Sequence, residues 1–480
     1  MTAQDSPAEQ EERHLLVMKF GGTSVGSAEA IRRTAEIVRA TAAQWPRLVT
    51  VVSAMSGVTD ALTQGALTAI TGDHQHCRRL ITDLRARHYA AIDGLLAPEG
   101  ERHDLLATVD DYLARFDEFC RSLHILGEVT PRALDAVTSL GEQLSARILA
   151  ARLRQEGTPA EAVDATGVIV TDDHFQGANP LLDETRERAQ QRLSPLLDQG
   201  ILPIVTGFIG ATVEGITTTL GRGGSDYSAA ILGAVLGADE VWIWTDVDGV
   251  MTADPRIVPE ARTIPVLSYT EVAELAYFGA KVLHPKTIRP VVERSIPLRV
   301  KNTFYPDRPG TLIVRTSEAV PGTIKAVTLI RGMSLVTVEG TGMMGVPGVA
   351  ARTFAAVART GTSVLMISQA SSEQSICFVI PTPAVPPVVA AIEEEMALEL
   401  LRRDIDRVWA QEEVAIVTVV GAGMRQTPGV AARIFSALGE RGINVIAIAQ
   451  GSSECSISLV VTADEADEAV RALHQLTGEG

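Results

Sequence analysis

Lys19 is the first residue of this sequence whose setting suggests chemistry. It lies in MKFGGTSVGS (18–27), an apolar run that ends in Gly21-Gly22, with Thr23 and Ser24 next. Read as a strand, a glycine turn and a helix start, the segment would aim backbone N–H groups and a helix N-terminus at phosphate oxygens, with a lysine to neutralise charge. The spacing is not that of a Walker loop, and the catalytic-loop and D-F-G signals of protein kinases are absent. By itself such a turn also suits an ordinary chain reversal. A second turn, Gly221-Arg222-Gly223-Gly224-Ser225-Asp226, runs into an apolar helical stretch. Ser and Asp are common helix caps. A cap does not call for an arginine between glycines, however, and the planar fork of Arg222 can grip a carboxylate with two hydrogen bonds. A third segment, WTDVDGVMTADPR (244–256), follows a buried-strand pattern and reads as a loop beside a nucleotide, although acidic turns of this kind are often only loops.

The elements that must position these turns alternate between short apolar runs and amphipathic stretches from Leu15 to about Gly310. The strand candidates are LLVMKF, LVTVVSAM, ILPIVTGFI, EVWIWTDV (240–247) and PLRVKN (297–302), with a helix near 27–43 and another over 136–155. Such alternation implies a mostly parallel sheet covered on both faces. Residues 63–135 are polar, punctuated by Leu and poor in β character, and are expected to be a helical excursion that serves as a lid or subunit surface. Glu142, on the 136–155 helix, reads in isolation as part of a solvated face, and Phe208 as core.

After NTFYPDRPGT (302–311), with a linker expected over 311–322, the texture becomes an internal repeat. LVTVEGTGMMGVPGVAARTFAAVARTGTSVLMISQASSEQSICFVI (335–380) matches IVTVVGAGMRQTPGVAARIFSALGERGINVIAIAQGSSECSISLVV (416–461) at a constant offset. Each copy reads as a βαββαβ unit. The first copy can close its sheet with RDIDRVWAQ, whereas the second ends one strand short. TIKAVTLIRG (323–332) is a spare strand, so the first unit (333–413) is expected to be inserted within the second (323–332 plus 414–480).

A formal net charge of -17 argues against broad binding to nucleic acid or anionic membrane, which leaves an anionic substrate to be held by local groups. The cysteines, Cys77, Cys120, Cys377 and Cys455, are far apart without a C-x-x-C pair, which suggests neither zinc nor disulfides and fits a cytoplasmic setting. The acid-rich start, residues 1–14, suits neither a secretory signal nor a transit peptide and is expected to be a disordered tail. No apolar run reaches membrane-spanning length.

KFGGTSV, VVSAMSGVTD (51–60), TSLGEQLSA (138–146), the GFIG to GRGGSD run, WTDVDGVMTADPR and ELAYFGAKVLHPKT (274–287) occur in one order along the chain. In this the sequence resembles the aspartate kinases of the amino-acid kinase superfamily, and its repeats resemble ACT domains, small-molecule sensors of biosynthetic enzymes. The resemblance implies an α/β fold: an αβα-sandwich kinase domain over 15–310 with a mostly parallel central sheet, then two α+β ACT units. It implies transfer of the ATP γ-phosphoryl group to the β-carboxylate of L-aspartate, with Mg2+. Arg222 would take the α-carboxylate and Glu142 the ammonium, while Ser53, Thr59, Phe208 and Ser225 match positions around the amino acid. Lys19 would stabilise the transferring phosphoryl group, and Asp226 would orient Lys19 or help organise the metal–phosphate cluster. Lys19, Gly21, Gly22, Thr23, Ser24, Thr245, Asp246, Met251, Arg256 and Lys281 fall on ATP-side positions, and Met251 stands where many relatives carry tyrosine. No protein ligand of the metal is indicated, so phosphates and water would hold it.

The ACT resemblance implies an amino-acid effector held near Met343, Gly345, Gln369, Ser371 and Gln450, in pockets at the junction of the two units. The glutamine-bearing form resembles threonine-sensitive aspartate kinases, which favours threonine over lysine. ACT pairing implies a homo-oligomer. The chain's stop at Gly480 leads to the expectation that any homoserine dehydrogenase resides on another polypeptide. Two rivals stand beside this reading. One is a kinase of glutamate or acetylglutamate, which would not explain GEQLSA and GRGGSD beside a double sensor. The other is a silent regulatory subunit, which would be expected to lack Lys19, Glu142, Arg222 or Asp226.

Overall fold

The computed structural model describes residues 14–279, 283–317, 323–343, 346–369, 374–424, 427–450 and 455–478. Most of the expected tail, residues 1–13, lies outside the described residues. The chain divides into two units. One runs to Val250 and includes Pro265–Tyr269 and Val282–Ser317, and the other comprises Met251–Ile264, Thr270–Lys281 and Glu318–Gly480.

In the first unit the strands are β1 (Leu15–Phe20), β2 (Arg47–Val52), β3 (Ala160–Val163), β4 (Leu202–Thr206), a hairpin of β5 (Ile209–Ala211) and β6 (Thr217–Thr219), β7 (Glu240–Thr245), β8 (Val266–Ser268), β9 (Leu298–Asn302) and β10 (Thr311–Val314). The main sheet has the order β3-β4-β2-β1-β7-β9-β10-β8. It is parallel from β3 through β9, and β10 then runs antiparallel to β9. Lying between β2 and β7, β1 is buried at every position, which accounts for its nearly unbroken apolar run. Chain order reverses beside β1, and in open α/β sheets the crevice at the carboxyl ends of such strands is where ligands bind.

Four helices, Val58–Ala69, His74–Leu95, Arg102–Leu126 and Pro131–Thr138, make the expected excursion. Two expectations are corrected. The helix read over 136–155 is two, Pro131–Thr138 and Leu140–Gln155. The first is started by Thr130, whose hydroxyl accepts the Ala133 N–H at 3.2 Å, with Pro131 where no N–H is needed. The expected linker 311–322 begins as β10, which pairs with both β9 and β8. Residues 318–322 lie outside the described set.

The second unit holds a six-stranded antiparallel sheet, β12-β13-β11-β14-β16-β15, built from β11 (Ile324–Glu339), β12 (Met366–Gln369), β13 (Ser375–Pro381), β14 (Arg407–Gly421), β15 (Ala447–Ala449) and β16 (Ser456–Thr462). The spare strand and the first strand of the first repeat are one element. Residues 324–330 of β11 pair with 416–421, and residues 333–339 pair with β13 and with the start of β14. A register shift between Ile330 and Met333 marks the change, with Gly332 at φ 72°. Helices Val349–Arg359 and Val385–Glu395 cover a core around Val336 and Phe378, while Val430–Gly439 and Ala466–His474 cover one around Val417 and Leu459. Ala253 and Val258, from the stretch expected to be purely catalytic, lie in that last core. Lys325 of β11 forms a 2.8 Å ion pair with Glu271, which is 1% exposed. Among the described residues no helix is long and apolar enough to cross a membrane.

Candidate functional site

At the carboxyl ends of β1, β2 and β4, a cleft of about 480 Å³ is lined by Lys19, Gly22, Ser53, Thr59, Glu142, Phe208, Arg222, Ser225 and Asp226. Residues far apart in sequence are thus brought together by the ends of parallel strands and the first turns of the helices that follow them. The Lys19 ammonium stands 2.6 Å from the Asp226 carboxylate, and both side chains are largely shielded from solvent. Asp226 sits in the first turn of helix Gly224–Leu236, whose first residues Gly224, Ser225 and Asp226 line the same cleft. That N-terminus and Lys19 make one end of the cleft attractive to anions.

Two glycines shape this corner. Gly223, at φ 72°, takes a left-handed turn that an L side chain resists, and a Cβ on Gly224 would stand 2.6 Å from the Phe208 ring. Phe208 itself has φ 68°, so it is held in an unusual conformation against that helix start. Its N–H donates to Ser228 Oγ at 3.0 Å. Arg222, between Gly221 and Gly223, is exposed, and among the described residues it enters no ion pair.

Glu142 is 3% exposed, a correction to its reading as a solvated helix face. It lies in the first turn of helix Leu140–Gln155, where Leu140, Gly141 and Leu144 are buried as well. Burial pushes the Glu142 carboxyl up to about 8; its own N–H, that of Ala54 and the Thr59 hydroxyl draw it down only in part. Its Oε2 is buried and, among the described residues, lacks a hydrogen-bond partner. A buried acceptor of this kind suits a cationic group arriving from the cleft.

The expected ATP-side residues fall in both units. Thr245 and Asp246 lie at the carboxyl end of β7, with the Thr245 hydroxyl 3.2 Å from Asp246 Oδ1. Gly21 N–H donates to Trp244 O at 3.1 Å, which ties the glycine turn to the same strand end. Thr23 is exposed, whereas Ser24 is buried with its hydroxyl 2.7 Å from that of Thr303. Met251 and Arg256 belong to the second unit, where Met251 S accepts from the Thr263 hydroxyl and Arg256 pairs with Asp254 at 2.6 Å. Lys281 lies outside the described residues. Among the described residues no group of three or more His, Cys, Asp or Glu converges as a metal cage.

In the second unit, Met343 and Gln369 border a cavity of about 330 Å³ with Pro347, Gly348, Val349 and Ile376. All of these come from the first repeat, in contrast to the expected pocket at the junction of repeats. Gln450 follows β15, is exposed, and is not part of this lining. Gly345 and Ser371 lie outside the described residues.

Gln176 and Thr219 also line the cleft, and Asp135 lies beneath them, accepting hydrogen bonds from both. None was found from sequence. A Gln-Gly turn at 176–177 was the single available signal, and it is weak.

A family model described as the amino acid kinase family matches residues 14–302, and an ACT domain model matches residues 336–396 and 417–476. The bifunctional aspartokinase/homoserine dehydrogenase 1, chloroplastic, of Arabidopsis thaliana is 39% identical over 465 residues, spanning 95% of this chain and 50% of that protein. The chain thus spans about half the length of the first curated relatives it matches. Aspartokinase 1, chloroplastic, of the same plant is 34% identical over 475 residues, 96% of this chain and 79% of that protein. Among solved structures, E. coli aspartokinase III in complex with aspartate and ADP (R-state) matches with a TM-score of 0.78 at 32% identity, over 96% of this chain and 99% of that one. The same E. coli protein in complex with lysine and aspartate (T-state) matches at 0.77 and 32%, over the same shares.

Proposed function

We propose that this chain, which belongs to the aspartokinases of the amino acid kinase family, transfers the γ-phosphoryl group of ATP to the β-carboxylate of L-aspartate, giving 4-phospho-L-aspartate and ADP. The observation that carries the reading is the convergence, in one cleft, of the Lys19–Asp226 pair, the buried Glu142 carboxyl and the Arg222 guanidinium. Arg222 forks the α-carboxylate and Glu142 takes the ammonium, with Ser53, Thr59, Phe208 and Ser225 shaping the space between. The β-carboxylate is then left facing Lys19 and the N-terminus of helix Gly224–Leu236.

A carboxylate with an ordinary pKa of about 4 is already ionised at neutral pH, so the nucleophile needs no general base. What it needs is positioning and relief from repulsion by the phosphates. Lys19 meets the charge on the transferring group, and Asp226 holds the ammonium in place from 2.6 Å. Thr245, Asp246, the Gly21-Gly22 turn with Thr23 and Ser24, and Met251, Arg256 and Lys281 form the ATP side of the proposal. Magnesium bound with ATP would neutralise phosphate charge.

The reading extends to the first step of lysine, threonine and methionine formation, in the cytoplasm, with feedback by an end-product amino acid at the first-repeat cavity. The Gln369 and Gln450 pair favours threonine. The relatives that carry a homoserine dehydrogenase support that choice, whereas lysine in the E. coli T-state structure supports the alternative. Self-association through the ACT units belongs to the same proposal.

Arg222→Ala is expected to raise KM for aspartate about a hundredfold while leaving KM for ATP within about threefold, since it deletes the carboxylate fork alone. Steady-state kinetics with each substrate varied will show it, and equal losses for both substrates would remove Arg222 from this role. The whole reading is tested by following ADP release with aspartate, with glutamate and without acceptor, each repeated with threonine and with lysine. Turnover on glutamate but not aspartate would overturn it. Inhibition by lysine alone would reverse the choice of effector.

A further inference from the structure

Asp135 is fully buried and forms no ion pair among the described residues. Its two carboxylate oxygens are instead surrounded by donors from two other segments. Oδ2 accepts the Gln176 N–H at 3.1 Å and the Thr219 N–H at 3.0 Å, while Oδ1 accepts the Thr219 hydroxyl at 2.6 Å and the Gln176 side-chain amide. A buried carboxylate held by dipolar donors alone fixes their directions closely, because each bond lost leaves charge unsolvated.

The three segments meet where the cleft is built. Asp135 lies on helix Pro131–Thr138, which passes through Ser139 directly into helix Leu140–Gln155 and so to Glu142. Thr219 ends β6, three residues before Arg222. Gln176 has φ 69°, a conformation costly for a residue with a side chain. The turn that carries Arg222 lies against it, since a Cβ on Gly221 would come within 3.1 Å of Gln176 O. The Ala178 N–H, two residues on, donates to Thr219 O at 2.9 Å.

We propose that Asp135 is a positioning residue that sets the span between Glu142 and Arg222, the groups assigned to the ammonium and α-carboxylate of the amino-acid substrate. One rigid turn of chain delivers Glu142 on one side and, through Asp135, clamps the Gln176 loop and the Thr219 strand that brace Arg222 on the other. The clamp acts on recognition of the amino acid and not on phosphoryl transfer. This inference rests on the aspartate kinase reading above.

Asp135→Asn keeps the shape but presents an amide N–H₂ to groups that are themselves donors. It is expected to raise KM for aspartate about thirtyfold, with kcat and KM for ATP within about threefold of wild type. Gln176→Ala, which leaves the backbone bonds to Asp135 in place, is expected to raise KM for aspartate about fivefold. Combined with Asp135→Asn it should add nothing further, because both act through one clamp. If Asp135→Asn does not fold, Gln176→Ala decides the matter alone through the same split between KM for aspartate and kcat. An unchanged KM, or a fall in kcat with KM unmoved, overturns the inference, as do fully multiplicative effects in the double variant. Wild-type protein that releases no ADP with aspartate overturns the functional reading itself, a result distinct from any of these.

Discussion

Lys19→Ala is expected to lower kcat by about a thousandfold, with KM for aspartate changed far less. In the proposed reaction the ammonium meets the transferring group, and its attraction to that group grows as charge builds in the transition state. It acts in a shielded setting, where both it and Asp226 are mostly covered, so water would replace it poorly. The same substitution leaves Asp226 without its cation, and this is expected to cost stability as well, on the order of 1–3 kcal/mol for so partly buried a pair. The two effects separate in the double variant Lys19→Ala/Asp226→Asn, which should recover melting temperature but not turnover. Wild-type kcat in folded Lys19→Ala protein would show that the phosphoryl group is met by another residue.

The second large effect concerns pH. In the empty site the Glu142 carboxyl keeps its proton up to about pH 8, because burial withholds the water that would stabilise the anion. The ammonium of aspartate needs the anion, so below that point binding must expel the proton. Each unit of pH lost then costs about tenfold in apparent affinity. KM for aspartate should therefore fall about tenfold between pH 6.5 and 7.5 and level off above 8, with KM for ATP nearly flat. Glu142→Gln should abolish the slope and raise KM at pH 8 by about a hundredfold.

Stability of the empty protein should run the other way. The folded carboxyl titrates above its ordinary 4.5, so the stability that goes with the neutral form is whole below 4.5 and is lost progressively up to about 8. Melting curves of wild type should fall relative to Glu142→Gln across that interval and run parallel above it, and added aspartate should close the gap at pH 8. A KM for aspartate that ignores pH would take the ammonium away from Glu142.

What could be read from sequence was what local pattern encodes. The strand and glycine turn around Lys19 announce themselves, since a buried parallel strand must be apolar and a turn packed against the Ala54 carbonyl must be small. The constant offset between repeats exposed two copies and a spare strand. Glu142 was different, because nothing within its own helix distinguishes a buried first turn from a solvated one; packing of that turn against Ala54 and Val58, far away in sequence, decides. β10 was missed because TLIV is only four residues and its pairing with β9 and β8 is not local. Arg331-Gly332 looked like the boundary between two strands, yet β11 runs through it, with the glycine absorbed as an irregularity in register. Asp135 was invisible for a related reason: its partners lie 41 and 84 residues away, and an aspartate on a short helix carries no mark of them.

The Met251–Ile264 and Thr270–Lys281 stretches bear on how such chains can be recombined. They are spelled within the catalytic half, yet Val327 N–H donates to Thr252 O, the Thr252 hydroxyl meets His474, and Lys325 closes on Glu271. A graft that exchanged sensor pairs at the obvious seam near 318 would keep the old Ala253 and Val258 while replacing the apolar residues around them. The heritable module is therefore discontinuous, and a chimera that is to keep its sensor packed must carry both stretches along with everything after the seam.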